Sequence, residues 1–293
     1  MTPPAVFTIG SVGPLATAQD LGRPGFAHLG VPRSGGADLG ALTAANRLVG
    51  NQASAAVIEI TMGGFSARVH GTALVSVTGP ATRVRVDGHD VGSHCAVSLR
   101  NGETVSVTAP HRGCRNYIAV RGGFDVSPEL GSRSTDTLSG LGPDPLRVGD
   151  EIPVGDESGA WPAVMVVPPP QPPVTPAVEL TVRAGPRSDR LVDADLLLTG
   201  SWRVNPASNR IGVRLDRAQH STDPALEHRD LPDLRSEGVP LGGVQVPPSG
   251  QPVLFLADHP VTGGYPVIGV LTPSAVDLAA QLVAGDSVRF VVG

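Results

Sequence analysis

Short runs of aliphatic and β-branched residues recur along all 293 residues, each cut off by glycine, proline, asparagine or aspartate. The segments Val57–Thr61, Ala73–Thr78, 82–86, 117–120, 212–215, 252–256 and 288–292 read as strands on this pattern. In 82–86 the period-two alternation places Arg83 and Arg85 on one face and Val84 and Val86 on the other, as on a half-buried strand. Residues 95–107 (CAVSLRNGETVSV) alternate on both sides of Asn101-Gly102, a pair that suits a type I′ turn, and so predict a hairpin. Helical periodicity is rarer. Residues 38–49 carry Leu39, Leu42, Ala45, Leu48 and Val49 on one stripe, with Gly50 as the stop signal. Residues 188–198 predict a second helix, and residues 275–283 a third with Ser274 as its N-cap. The fold class is mainly β with a few short helices.

The 37 glycines and 29 prolines have no collagen-like period, so they punctuate many short elements rather than form a fibre. Prolines crowd residues 161–177 (WPAVMVVPPPQPPVTPA), a composition that favours an extended, semi-rigid linker. The two halves end in a similar idiom. LRVGDEIPV (146–154) and LVAGDSVRFVV (282–292) each place a Gly-Asp turn before a last strand, which suggests two related β-barrels. The expected organisation is a first barrel over 1–160, the linker over 161–177 and a second barrel over 178–293.

The chain contains no lysine, and all 22 of its basic residues are arginine. A phosphate-gripping P-loop lysine, a Schiff-base lysine and a biotinyl-lysine are therefore excluded here. If ATP or biotin takes part in the chemistry, its usual lysine lies on another chain. A net charge of −5 argues against nucleic acid as a partner. No apolar run approaches the roughly 20 residues needed to span a bilayer. The first residues lack a basic region followed by an apolar stretch, so a cytoplasmic location is expected. Cys95 and Cys114 read as small buried hydrophobes. The eight histidines show neither HExxH nor HxH spacing, so no metal is expected.

Candidate chemistry gathers in loops richer in glycine and polar groups than packing requires. They are 13–25 (GPLATAQDLGRPG), 28–38, 62–64, 113–126, 130–136 (LGSRSTD), 207–215 (ASNRIGVRL) and 236–266. Arg23, Arg133 and Arg210 offer planar forks for a carboxylate. Asp20, Glu237 and Asp258 can accept from an amide N–H and are the candidate catalytic acids or bases. Gly64, Gly123 and Gly264 would let backbone donors approach an oxyanion. The set suits a small polar ligand carrying a carboxylate or an amide. Read singly, each residue also fits a turn or an ion pair; the ASNR and GGYP segments stand out as dense in unusual choices.

These segments, in order, resemble the biotin-dependent carboxyltransferase-like family, which includes the C component of 5-oxoprolinase, allophanate hydrolase subunit 2 and part of the urea carboxylase carboxyltransferase domain. The matching motifs are QDLGRPG (19–25), GVPRSG (30–35), ANRLVGN (45–51), IEITMGG (58–64), GSRSTD (131–136), SEGV (236–239), QVPPSGQP (245–252) and GGYP (263–266). The resemblance implies two cyclophilin-like β-barrel domains and an obligatory partner, the B component of 5-oxoprolinase or the allophanate hydrolase subunit 1 type. It leaves room for an A-type component as well. Substrate would bind near the junctions between domains and between chains, with Ser34, Ser208 and Tyr265 joining the arginines and glycines as binding residues. ATP would be a co-substrate of the complex, and this chain would carry no covalent biotin.

Three departures from the family pattern stand out. Asn209 replaces an aspartate in Ser-Asp-Arg-Met-Gly, Pro260-Val261 replaces a Gln-Thr pair, and Ala37 replaces a methionine. The leading functional expectation is the C component of a bacterial 5-oxoprolinase. The alternatives are carboxyl transfer to urea or a similar amide, and a regulatory protein that antagonises a kinase inhibitor. A substrate-holding Arg210 predicts that Arg210→Ala silences activity and spares stability.

Overall fold

In the computed structural model, residues 4–156, 158–170, 177–218, 222 and 224–293 are described. Among them no helix is long and apolar enough to cross a membrane. The chain divides into two compact units. One comprises Met1–Arg23, Ser34–Asp136 and Gly140–Gln171, and the other Pro24–Arg33, Thr137–Ser139 and Pro172–Gly293. A cut at the proline-rich segment would assign Pro24–Arg33 and Thr137–Ser139 to the first unit; in the structure they belong to the second.

The first unit holds β1 (Val6–Val12), β2 (Leu15–Gln19), α1 (Leu39–Leu48), β3 (Val57–Thr61), β4 (Phe65–His70), β5 (Ala73–Thr78), β6 (Val84–Val86), β7 (His89–Asp90), β8 (Ala96–Leu99), β9 (Thr104–Val107), β10 (Arg115–Val120) and β11 (Glu151–Pro153). They form two sheets, ordered β11-β1-β4-β9-β6-β7 and β2-β3-β10-β5-β8. Phe7, Phe65, Val69 and Val105 of the first sheet pack on Ile58, Ile60, Val77 and Ile118 of the second. The outer face of the second sheet meets α1 through Leu42, Ala45, Tyr117 and Ala119. Covered on both faces, β10 is buried at all six positions and reads as a run rather than an alternation.

The helix α1 follows its sequence signals closely. Asp38 caps it by accepting from Ala41 N at 2.8 Å, and Gly50 takes φ +69° just beyond its end. The alternation over 82–86 is also as expected: Val84 is buried, while Arg83 and Arg85 reach Asp90.

The predicted hairpin over 95–107 is not formed. β8 pairs with β5 and β9 pairs with β4 and β6, so Asn101-Gly102 is a corner between sheets. Only Gly102 has positive φ. Asn101 instead accepts from Gly71 N at 2.8 Å, and Gly102 N donates to Val69 O at 2.7 Å. Part of the expected linker also packs: Ala96 N donates to Met165 O at 2.8 Å, and Arg121 lies 4.4 Å above the Trp161 ring. Residues 171–176 of that segment lie outside the described residues.

The second unit holds β12 (Ala177–Ala184), α2 (Leu196–Thr199), β13 (Trp202–Val204), β14 (Gly212–Arg217), β15 (Glu237–Gly238), β16 (Gly243–Gln245), β17 (Val253–Phe255), β18 (Thr262–Gly263), β19 (Val267–Leu271), α3 (Pro273–Ala279) and β20 (Ser287–Val292). Seven of these strands close a barrel in the order β12-β19-β16-β17-β14-β13-β20 around Trp202, Leu215, Val244, Leu254 and Phe290. Closure removes the free edges that an open sheet would expose. The mainly β, barrel-based architecture expected from the sequence is present.

Two helical expectations are corrected. Over 188–198 the chain makes a 3-10 turn at Ser188–Arg190, leaves it at Leu191, and only then forms α2. Leu191 is drawn into the barrel core and bridges His228, with Val192 N donating to Glu227 O at 2.9 Å. Tertiary pairing overrides local periodicity here. The third helix is α3, capped by Thr272 rather than Ser274, because Pro273 presets the first helical φ and Thr272 remains extended.

The repeated Gly-Asp idiom is real at the level of the turn. Gly149 and Gly285 have φ +92° and +90°. Asp150 accepts from Arg147 N at 2.7 Å, and Asp286 from Val283 N at 2.9 Å. The strands that follow differ: β11 runs antiparallel to β1, whereas β20 runs parallel to β12.

Candidate functional site

In the first unit, residues 19–23 and 131–136 meet Ser34 in one buried polar cluster. β2 delivers Gln19 and Asp20 to its C-terminal end. Asp20 Oδ1 accepts from Gly22 N at 2.7 Å, Ser132 Oγ at 2.7 Å and Ser134 Oγ at 2.6 Å; Oδ2 accepts from Arg133 N at 2.6 Å. Four donors of its own unit therefore occupy this candidate acid/base. Gly35, at φ +95°, must be glycine, since a Cβ would come within 2.9 Å of Gly22 N. Ser34 also takes positive φ and donates from Oγ to Thr135 O at 3.0 Å.

Arg23 is buried under this loop and donates from Nη2 to Ser134 O. Its Nη1, together with Gln19 Oε1 and Thr135 Oγ1, is buried without a hydrogen-bond partner among the described residues. Such gaps are filled in native proteins by ordered water or by a bound polar group. Arg133 lies nearer the surface, with its Nη2 3.7 Å from Asp125. Of the sequence candidates, the structure thus gathers Asp20, Arg23, Ser34 and Arg133. Gly64 sits in the β3–β4 turn at φ +73° against Gly13, and Gly123 at φ +76° against Ala55. Both are explained by close backbone packing.

A second buried network, missed by the sequence reading, lies beneath α1. Glu59 Oε2 accepts from Ala37 N at 2.9 Å and Tyr117 Oη at 2.8 Å, and Arg115 Nε lies 3.4 Å from Oε1. Burial, reinforced by the neighbouring Glu59 and Asp38 charges, pushes the Tyr117 hydroxyl well above its usual range. It stays protonated and serves as a strut. The IEITMGG motif was the available signal for Glu59.

In the second unit Arg210 and Asp258 form a buried two-point ion pair, Nε–Oδ2 2.9 Å and Nη2–Oδ1 3.0 Å, with side chains 2% and 0% exposed. Thr137 adds its N at 3.0 Å and Oγ1 at 2.6 Å to Asp258 Oδ2. Burial pushes the Asp258 carboxyl up, but Arg210 and Thr137 outweigh it and hold it below the usual carboxylate value. The Arg210 fork is therefore filled by Asp258, so its removal is expected to cost stability rather than spare it. Glu237 is likewise paired, with Arg187, at the surface.

Ser208 and Asn209 fold their own loop. Ser208 Oγ donates to Asn205 O at 2.7 Å, and Asn209 Oδ1 accepts from Ile211 N at 2.9 Å. An asparagine oxygen performs this turn duty as well as the family's aspartate would.

Gly264 and Tyr265 instead line an open cavity of about 380 Å³, together with Arg190, His228, Arg229 and Asp233. Gln245 holds the loop by donating to Tyr265 O at 2.9 Å, and Tyr265 itself is 47% exposed. This is a concave, partly cationic place of the size small ligands occupy. The GGYP segment was legible as a candidate, whereas no motif marked Arg190 or Arg229.

The chain is 32% identical to the C component of 5-oxoprolinase from Escherichia coli, over 95% of this chain and 88% of that protein. The solved structure of the protein TTHA0988 superposes with a TM-score of 0.85 at 31% identity, over 99% of this chain and 56% of that one. The K. lactis urea amidolyase does so with a TM-score of 0.89 at 26% identity, where all of this chain covers only 19% of the larger protein. Residues 29–292 match the family described as carboxyltransferase domain, subdomain A and B, and the chain belongs to that family.

Proposed function

We propose that the chain is the C component of an enzyme of the 5-oxoprolinase type, which opens 5-oxoproline to glutamate at the expense of ATP and acts with partner chains in the cytoplasm. The observation that carries this reading is the match to the E. coli 5-oxoprolinase C component, which takes in 88% of that protein. Phosphoryl transfer to the lactam oxygen makes the ring carbonyl open to water. With no lysine in its sequence, this chain supplies substrate-binding groups while a partner of the A or B type grips the phosphates. A second reading, carboxyl transfer to a urea-like amide, is favoured by the fold match to urea amidolyase. On that reading the biotin arrives on another chain.

The test is an ATPase assay on the chain reconstituted with its A- and B-type partners. 5-Oxoproline should release ADP, urea should not, and avidin should have no effect; the chain alone should be inactive. Turnover by the isolated chain near the rate of the complex would sink the partner requirement. Urea-dependent turnover blocked by avidin would establish the carboxyltransferase reading. No turnover with either substrate would favour a regulatory binding role.

A further inference from the structure

We infer that the cavity beside the GGYP loop is a carboxylate-binding site whose anchors are Arg190 and Arg229. Taken as the seat of the 5-oxoproline carboxylate, it rests on the reading proposed above. Both arginines line the cavity, and among the described residues neither forms a close ion pair, although Arg190 lies near enough to the Arg187-paired Glu237 to help hold that carboxyl down. Each is nevertheless held in place by the main chain. Arg190 Nη1 donates to Pro232 O at 2.6 Å, and Arg229 Nε to Leu191 O at 2.7 Å. Guanidinium groups fixed by carbonyls, with N–H groups left over, are prepared for a planar anion and lose little entropy on binding it.

The remaining lining supports a ligand with both an anionic and a neutral polar end. Asp233 can accept from an amide N–H, and the hydroxyl of the exposed residue Tyr265 is a candidate donor to a carbonyl. His228 is committed to the fold through its contact with Val246 O at 3.0 Å.

Gly264 is the most telling residue. Its φ is not in the left-handed region, and a Cβ there would meet nothing closer than Leu234 O at 3.9 Å. Neither backbone conformation nor packing requires glycine at this position, but a side chain would project into the space beside Tyr265. Its absence keeps the cavity open.

Calorimetric titration of the full chain with 5-oxoproline, succinate and pyrrolidin-2-one tests the inference. The two carboxylates should bind, and the neutral lactam should bind at least about tenfold more weakly, as expected on losing one charge-assisted hydrogen bond. Arg229→Gln and Gly264→Leu should each weaken carboxylate binding by about ten- to a hundredfold. Gly264→Leu should leave the melting temperature unchanged, which separates loss of the site from loss of the fold. Carboxylates that fail to bind, or that bind both variants as tightly as wild type, overturn the site. Succinate binding without 5-oxoproline binding supports the site and counts against 5-oxoproline as the substrate. Turnover of 5-oxoproline by the complex with an unchanged KM in both variants overturns the site and leaves the proposed function standing.

Discussion

Arg210→Ala lowers stability by about 3–5 kcal/mol, the usual cost of leaving one member of a buried ion pair without its partner. The melting temperature falls by about 10 °C or more for a unit of this size. Asp258 is fully buried, and alanine at 210 removes two hydrogen bonds that compensate its charge. Arg210→Lys recovers only part of the loss, since an ammonium cannot reproduce the two-point contact. The chain has two tryptophans, and Trp202 lies in the core of the affected barrel, so its fluorescence reports the transition.

The same pair predicts an acid limit. A carboxyl held below its ordinary value of 3.8 contributes stability at higher pH and loses it as pH falls from there through its depressed folded-state value. Asp258→Asn should lack that acid-dependent loss. An unchanged melting temperature together with abolished turnover in Arg210→Ala would return Arg210 to the role of substrate fork.

Asp20→Asn loses about 3 kcal/mol or more, because two or more charge-assisted hydrogen bonds weaken or become donor-against-donor contacts. Whichever way the amide is turned, its nitrogen faces either Arg133 N or the group formed by Gly22 N, Ser132 and Ser134. The loop 131–136 loosens, and with it the carbonyls of Ser134 and Thr135 that hold Arg23, Ser34 and Gln19. The expected signature is a lower melting temperature, a raised KM and a largely retained kcat in the reconstituted complex at a temperature where the variant stays folded. Unchanged stability with kcat reduced more than about a hundredfold, as for loss of a general base, would make Asp20 catalytic instead.

Much of this was legible because it depends on neighbours along the chain. The cap at Asp38, the stop at Gly50, the alternation of 82–86 and the Gly-Asp turns at 149–150 and 285–286 are all local geometry. They arise from side chains that reach only two or three residues and from glycines that alone accept positive φ easily. The Asn101-Gly102 corner shows where this stops. The same two alternating runs satisfy a hairpin or a sheet change equally well. Partners distant in sequence, β5 for one run and β4 and β6 for the other, chose between them.

The candidate site divides in the same way. By itself the sequence determined the mainly β class, the family resemblance, the absence of any lysine chemistry and the loops where polar groups gather. Only the tertiary structure decided which of those groups are already engaged. It buried Arg210 against Asp258, 48 residues away, and filled Asp20 from a loop more than 110 residues away. It left the cavity beside Gly264 and Tyr265 bordered by two arginines that no motif had marked. An isolated arginine or aspartate in a sequence has the same charge and reach in either role. Whether it meets a ligand or a partner side chain is settled by contacts between distant segments, and those form only when the sheets pack and the barrel closes.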